Sequence, residues 1–124
     1  PGNRFVAEFL GDINVMDAHL TAQGAEVESR TMHLRAVPEK EGVGHIAVRP
    51  EHVHLGLEPP DANLNALTGY LCDVVYQGSS VRLSIKTDGG QILLTHVPTD
   101  QLHGFLTPGT QLWASWKPER CFTL

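Results

Sequence analysis

Past its first dozen residues the chain alternates between apolar and polar positions with a period of two, in one short run after another. That is the mark of half-buried β-strands. Ile13, Val15 and Asp17 alternate with Asn14, Met16 and Ala18, and Thr21-Ala22-Gln23-Gly24 reads as a turn. Residues 27–37 contain a second extended stretch, with Met32, Leu34 and Ala36 on one face. A charged loop, Glu39-Lys40-Glu41-Gly42, precedes a strand predicted over 44–49 and stopped by Pro50. Another short extended piece covers 52–57, and EPPDANL over 58–64 is a loop by its prolines.

The second half carries the clearest alternation. Over 69–77, Tyr70, Cys72, Val74 and Tyr76 are expected on one face, and Leu71, Asp73, Val75 and Gln77 on the other. Gly78-Ser79-Ser80 turns the chain into a run where Val81, Leu83 and Ile85 alternate with Arg82, Ser84 and Lys86. Asp88-Gly89-Gly90 is a short-turn signal between two strand patterns. Residues 91–97 form the next strand. A connection over 98–109 comes after it, with one helical turn expected at 102–106. A strand over 111–117 alternates Leu112, Ala114 and Trp116, and Pro118-Glu119-Arg120 turns into a last strand over 121–124.

The helical period is confined to the start. Asn3 is placed to cap a helix over 4–10, Gly11 suits its C-terminal end, and Phe5, Val6, Phe9 and Leu10 form one apolar stripe. Two turns of helix are not stable alone in water. The stripe is therefore expected to pack on the body of the domain, to meet a region upstream, or to pair two copies of the chain. Together these elements predict an all-β fold: an OB-like small barrel or sandwich of short antiparallel strands with a short N-terminal helix. The domain is expected over 12–124, with 1–11 as a linker. No internal repeat is evident.

Composition narrows the function. The chain has 124 residues, 41% hydrophobic and 19% charged, enough for one domain with a core. No apolar run approaches the ~20 residues of a membrane-spanning helix, and no signal-peptide pattern is present. A net charge of −5 argues against nucleic acid as a partner, since phosphates call for a basic face. Cys72 and Cys121 lie far apart without metal-type spacing and are expected as reduced thiols, Cys72 packed in the core.

Catalytic patterns are missing. There is no phosphate loop, no dinucleotide fingerprint and no nucleophile elbow. Ser79 and Ser80 sit in a turn, and no two carboxylates pair for acid–base work. Of seven histidines, His52 and His54 are the candidates for metal ligation, because residues two apart on a strand share a face and Glu51 stands beside them. A third ligand is not apparent, and the plainer reading is a solvent-facing polar stripe. On these residues alone the chain reads as a binding, docking or regulatory module, with no catalytic residue and no cofactor of its own.

The chain also carries a family resemblance. Pro1-x-Asn3-x-Phe5-Val6-Ala7-x-Phe9-Leu10-Gly11 resembles the segment that leaves the nucleotide-binding domain in ABC importer ATPases. Val48-Arg49-Pro50-Glu51-His52-Val53 is similar to the family's R-P-E motif. The strand and turn from Gly69-Tyr70-Leu71 to Gln77-Gly78 come next in order, and Gly109-Thr110-Gln111-Leu112 to Trp116-Lys117-Pro118-Glu119 is similar to its G-x-x-L-x-x-x-W-x-P-E close. The resemblance is to the C-terminal TOBE (transport-associated OB) domain of ATP-binding subunits, of the spermidine/putrescine type first and the ferric-iron type next. It implies a regulatory or dimerisation domain cut free of an ATPase domain that would hold ATP and Mg. Implied partners are that ATPase domain, a second copy and the membrane permease subunits, with the whole complex peripheral on the inner face of the plasma membrane. Phe5, Phe9, Leu10, Arg49, Pro50, Glu51 and Trp116 are the interaction or structural positions it marks. The alternative is a small-ligand module that holds an oxyanion or metabolite.

Overall fold

The structure is a computed structural model and describes residues 12–102 and 107–124. The helix expected over 4–10, with Phe5, Phe9 and Leu10, lies outside the described residues. So do residues 103–106 of the turn expected at 102–106.

Among the described residues the chain forms ten strands: β1 (Asn14–Leu20), β2 (Ala25–Val27), β3 (Arg30–Met32), β4 (Gly42–Val48), β5 (His54–Gly56), β6 (Asn65–Gln77), β7 (Ser80–Thr87), β8 (Ile92–Pro98), β9 (Gln111–Trp116) and β10 (Cys121–Thr123). They make two five-stranded sheets, ordered β10-β4-β1-β2-β3 and β5-β9-β6-β7-β8. The described pairings are antiparallel. The all-β expectation holds. β7 shows why: Val81, Leu83, Ile85 and Thr87 are buried while the residues between them are not, as the period of two requires.

The core lies between the sheets. Met16, Val27, Met32, Ile46 and Val48 of the first sheet meet Leu67, Leu93, Ala114 and Trp116 of the second. A second cluster, Leu71, Val81, Leu83, Ile85 and Leu112, covers the rest of the second sheet's inner face. Each large apolar side chain buried there contributes roughly 1.5–3 kcal/mol.

Two departures from the plain alternation shape the molecule. In β6 the register against β7 shifts between Leu71 and Asp73. The β-bulge there gives two residues to one strand and reverses the faces beyond it. Leu71 and Val74 both pack on the inner cluster in consequence, whereas the uninterrupted alternation puts them on opposite faces. Cys72, expected in the core, sits at the bulge and is only half-buried. The second departure is at 27–37, where the stretch expected to be extended is a tight hairpin. β2 and β3 are joined by Glu28 and Ser29 alone, at φ +51° and +66°. Two successive left-handed residues match a type I′ turn, which Asn and Gly usually supply.

The sheets are also stitched at their edges by asparagines. Asn14 of β1 donates from Nδ2 to the Leu94 carbonyl (2.8 Å) and accepts the Leu94 N–H at Oδ1 (2.7 Å). Asn65 of β6 does the same for His33, both bonds at 2.8 Å. β8 and β3 are edge strands of opposite sheets. In each case a buried side-chain amide from the other sheet stands in for a neighbouring strand beside or just past that edge.

The chain changes sheets through two matching crossovers. Val48-Arg49-Pro50-Glu51-His52-Val53 leads from β4 to β5, and Trp116-Lys117-Pro118-Glu119-Arg120-Cys121 leads from β9 to β10. Each is a single 3₁₀ turn with proline at its first position, preceded by an extended basic residue: Arg49 at φ −73°, ψ 144° and Lys117 at φ −74°, ψ 142°. Val53 N–H returns to the Pro50 carbonyl, and Cys121 N–H to the Pro118 carbonyl. β4 pairs with β10 and β5 with β9, so the two crossovers run in opposite senses between the same two sheets. This is an internal repetition of six residues, where none is evident from the sequence.

Candidate functional site

The first crossover also forms one wall of a cleft. Pro50 is buried and fixes the turn, while Arg49 and Glu51 on either side of it are exposed. The chain then buries Val53, whose carbonyl accepts the Thr95 hydroxyl at 2.6 Å. This bond ties the crossover to β8. Beside it lies the cleft, open and about 270 Å³ in volume. Glu51 and His54 supply its polar rim, Val53, Leu55, Leu83 and Leu102 its apolar walls, and His96, Val97 and Pro98 of β8 run along one side.

The two candidate metal ligands part company here. His52 closes the 3₁₀ turn, half-buried, and is not on a strand; its N–H bonds the Arg49 carbonyl at 3.0 Å. His54 opens β5, is exposed and lines the cleft. The shared strand face expected for them does not form, because the proline coils the chain at 50–52. No group of three or more His, Cys, Asp and Glu side chains among the described residues is arranged to hold a metal ion.

His96 faces the start of the described chain. Its Nε2 is buried, forms no hydrogen bond and stands 3.6 Å from Asp12 Oδ2. Arg82, directly across the sheet from His96, reaches the same carboxylate through Nη1 at 3.3 Å and Nη2 at 3.4 Å. Asp12 is thus pinned across β7 and β8.

A second polar cluster ties the sheets on their other side. The Glu28 carboxylate accepts the Thr87 hydroxyl (2.5 Å), the Gly89 N–H (2.8 Å) and the Gln91 side-chain amide (2.8 Å). Gln91 Oε1 in turn accepts the Asp17 N–H at 2.8 Å, and Thr68 donates to Asp88. Arg30 lies 5.0 Å over the Trp113 ring. The cluster docks the β2–β3 hairpin on the β7–β8 turn. Nothing in the local sequence signals it, because Glu28 and its partners are far apart along the chain.

Trp116 and Cys121 bracket the second crossover, and both are fully buried. Burial pushes the Cys121 thiol up to about 11; the Trp116 side chain and the Phe122 backbone act in the opposite direction. The Trp116 indole N–H reaches no acceptor at hydrogen-bonding geometry, so its pull on the sulfur is that of a nearby dipole and not of a formed bond. Trp116 is a core residue and takes no part in lining the cleft. The cleft as a whole offers one carboxylate and one exposed imidazole, Glu51 and His54, over an apolar floor. That suits docking or the capture of a small molecule.

Two five-stranded antiparallel sheets packed around a shared core define the class: an OB-like β protein. The chain belongs to the TOBE domain family, whose model matches residues 46–124, from β4 through both crossovers to the end of β10. The whole chain aligns with two proteins named spermidine/putrescine import ATP-binding protein PotA. Identity is 32% with that of Acidothermus cellulolyticus, of which it covers 35%, and 31% with that of Rubrobacter xylanophilus, of which it covers 34%. An uncharacterised ABC transporter ATP-binding protein of Escherichia coli, YdcT, is 31% identical over 94% of the chain and 30% of its own length. The chain thus spans about a third of the length of the curated relatives it matches. Among solved structures, the cytoplasmic molybdate-binding protein ModG with molybdate bound superposes with a TM-score of 0.66. The match covers 89% of this chain and 94% of that one at 16% identity, a likeness of fold.

Proposed function

We propose that this chain is the regulatory accessory domain of the ATP-binding subunit of an ABC importer, for polyamines such as putrescine and spermidine. The observation that carries the reading is the alignment of the entire chain with several spermidine/putrescine import ATP-binding proteins, of each of which it covers only about a third. On this reading ATP and Mg belong to an ATPase domain elsewhere in the parent protein, and the described domain neither binds nor hydrolyses nucleotide. Its partners are that ATPase domain, a second copy of itself and the permease subunits. The complex lies on the cytoplasmic face of the plasma membrane, and the domain helps hold the ATPase pair together through the transport cycle.

The test is uptake of labelled putrescine by cells whose parent subunit lacks this domain. The expected outcome is uptake reduced at least tenfold while the ATPase portion still binds nucleotide, with loss of the subunit dimer in cross-linking. Unchanged putrescine uptake, or import that tracks a different solute such as ferric iron, overturns the polyamine assignment.

A second reading, a module that holds an oxyanion, is favoured by the fold likeness to a molybdate-binding protein. Calorimetric titration of the 124-residue chain with molybdate, sulfate and putrescine separates the two. Saturable molybdate or sulfate binding supports the second reading.

A further inference from the structure

Asp88 is the one aspartate of the chain that is followed by glycine. That dipeptide has a chemistry of its own. Glycine puts no side chain beside its nitrogen and its backbone turns freely, so the nitrogen can swing onto the carboxyl carbon of the residue before it. Asp88, Gly89 and Gly90 are all exposed at the turn between β7 and β8, where water reaches them.

Other parts of the fold restrain both reacting groups. The Gly89 N–H, whose nitrogen is the nucleophile, donates to Glu28 Oε1 at 2.8 Å. The Asp88 carboxylate, the group to be attacked, accepts the Thr68 hydroxyl. The Asp88 N–H donates to the Thr68 carbonyl and the Gly90 N–H to the Thr87 carbonyl, both at 2.9 Å. Nucleophile and target are thus tied to different elements, the β2–β3 hairpin and β6. Glu28 is itself fixed by the Thr87 hydroxyl and the Gln91 side-chain amide. The contact also dictates the residue, because a Cβ at position 89 would be driven into the Glu28 carboxylate. The carboxylate that requires glycine at 89 therefore restrains the reaction that glycine permits.

We propose that Asp88-Gly89 is a site of backbone isomerisation to isoaspartate, kept silent by the Glu28 carboxylate. In the reaction the Gly89 nitrogen loses its proton and attacks Asp88 Cγ. An N–Cγ bond forms, a Cγ–O bond breaks, and the carboxyl's OH leaves with that proton as water. The product is a five-membered cyclic imide. Water then opens it: at Cγ it restores aspartate, and at the backbone carbonyl it leaves isoaspartate, one carbon longer in the main chain. Glu28 opposes the attack in two ways. Its hydrogen bond must break before the nitrogen can close to the aligned contact of about 3–3.5 Å that reaction requires. Its charge repels the negative charge that gathers on the attacked carboxyl. The extra main-chain carbon carries the Gly89 N–H away from Glu28, so the product undoes the hairpin dock that suppressed it. The inference does not rest on the proposed transport role.

The test is the rate of isoaspartate formation at residue 88 in the 124-residue chain at neutral pH, read by peptide mapping that separates aspartyl from isoaspartyl peptides. The folded wild-type chain is expected to react at least tenfold more slowly than the same chain unfolded in urea. Glu28→Ala should raise the folded rate roughly tenfold, the weight of one hydrogen bond to a charged acceptor. Glu28→Gln, which keeps an oxygen for the Gly89 N–H, should fall between the two and carries the comparison if Glu28→Ala does not fold. Cys121→Ala loosens the fold at the opposite edge of the first sheet from the hairpin and should stay at the wild-type rate. Circular dichroism checks the fold of each variant. A folded wild-type chain as fast as the unfolded one overturns the proposal, as do Glu28 variants no faster than wild type. A slower Glu28→Ala also overturns it and would make Glu28 a base that draws the proton from Gly89. Equal acceleration by Cys121→Ala overturns it too, by tracing the rate to general loss of stability.

Discussion

At the scale of single residues, Glu28 and Cys121 carry the most physics. Glu28 and its neighbour Ser29 hold left-handed backbone that costs non-glycine residues of order 1 kcal/mol each. For Glu28 the cost is offset by three hydrogen bonds to the opposite sheet. Ser29 is exposed and has no such offset among the described bonds. Ser29→Gly should therefore raise stability by roughly 0.5–1 kcal/mol, while Glu28→Ala should lower it by roughly 1–3 kcal/mol, both read by urea denaturation. Cys121 gives a pH prediction. As pH rises the unfolded thiol ionises near its ordinary 9.0, but the folded one keeps its proton to about 11. Across that window the unfolded state has released a proton that the folded state still holds, so stability falls with rising pH. The total is on the order of 2–3 kcal/mol. Denaturation midpoints from pH 8 to 11 should show the fall, and Cys121→Ala should remove its slope even though it lowers stability at pH 7.

At the scale of elements, the strands and the edges obey different rules. β7 is legible in the sequence because a residue buried at every second position leaves its mark on composition. The bulge in β6 is not, because one extra residue at Cys72 changes no residue type and only reverses the faces of the residues beyond it. The β2–β3 turn is hidden for a related reason: Glu-Ser carries none of the Asn-Gly signal, and its stabilising partners lie in another sheet. Arg49-Pro50-Glu51 is legible as a strand end. Its likeness to Lys117-Pro118-Glu119 gains meaning only once β4 is seen paired with β10 and β5 with β9. The asparagine stitches are testable here. Asn14→Leu should leave the Leu94 N–H and carbonyl unpartnered in a buried place and cost roughly 2–5 kcal/mol in chemical denaturation. Gly69→Ala should do comparable harm, because a Cβ there would be driven into the Lys86 backbone carbonyl. A normal β6–β7 register in the alanine variant, seen by NMR at native stability, would refute that reading.

For the molecule as a whole, the sites legible in the sequence and those built by the fold are largely different residues. Trp116 and Pro50 are marked by their motifs and prove to be buried anchors. The cleft beside the first crossover draws Glu51 and His54 from one stretch but His96 and Leu102 from another, and no spacing rule connects them. Family membership rests on residues 46–124, which contain both crossovers and the whole second sheet.

The second sheet is made from one unbroken stretch, His54 to Trp116, but the first is not: β10, residues Cys121–Thr123, closes it beside β4. A ribosome delivers β10 after the other nine strands of the two sheets. Until then the β4 edge along Ile46-Ala47-Val48 stands open, an apolar edge of the kind that recruits foreign strands and seeds aggregates. Arg49 and Pro50, charged and unable to extend a ladder, directly succeed that run and act as its gatekeepers during synthesis. The second crossover is therefore more than a connection. It carries the last strand back to the one edge that most needs covering, and the time the chain spends without it is the interval in which this protein is most exposed to misassembly.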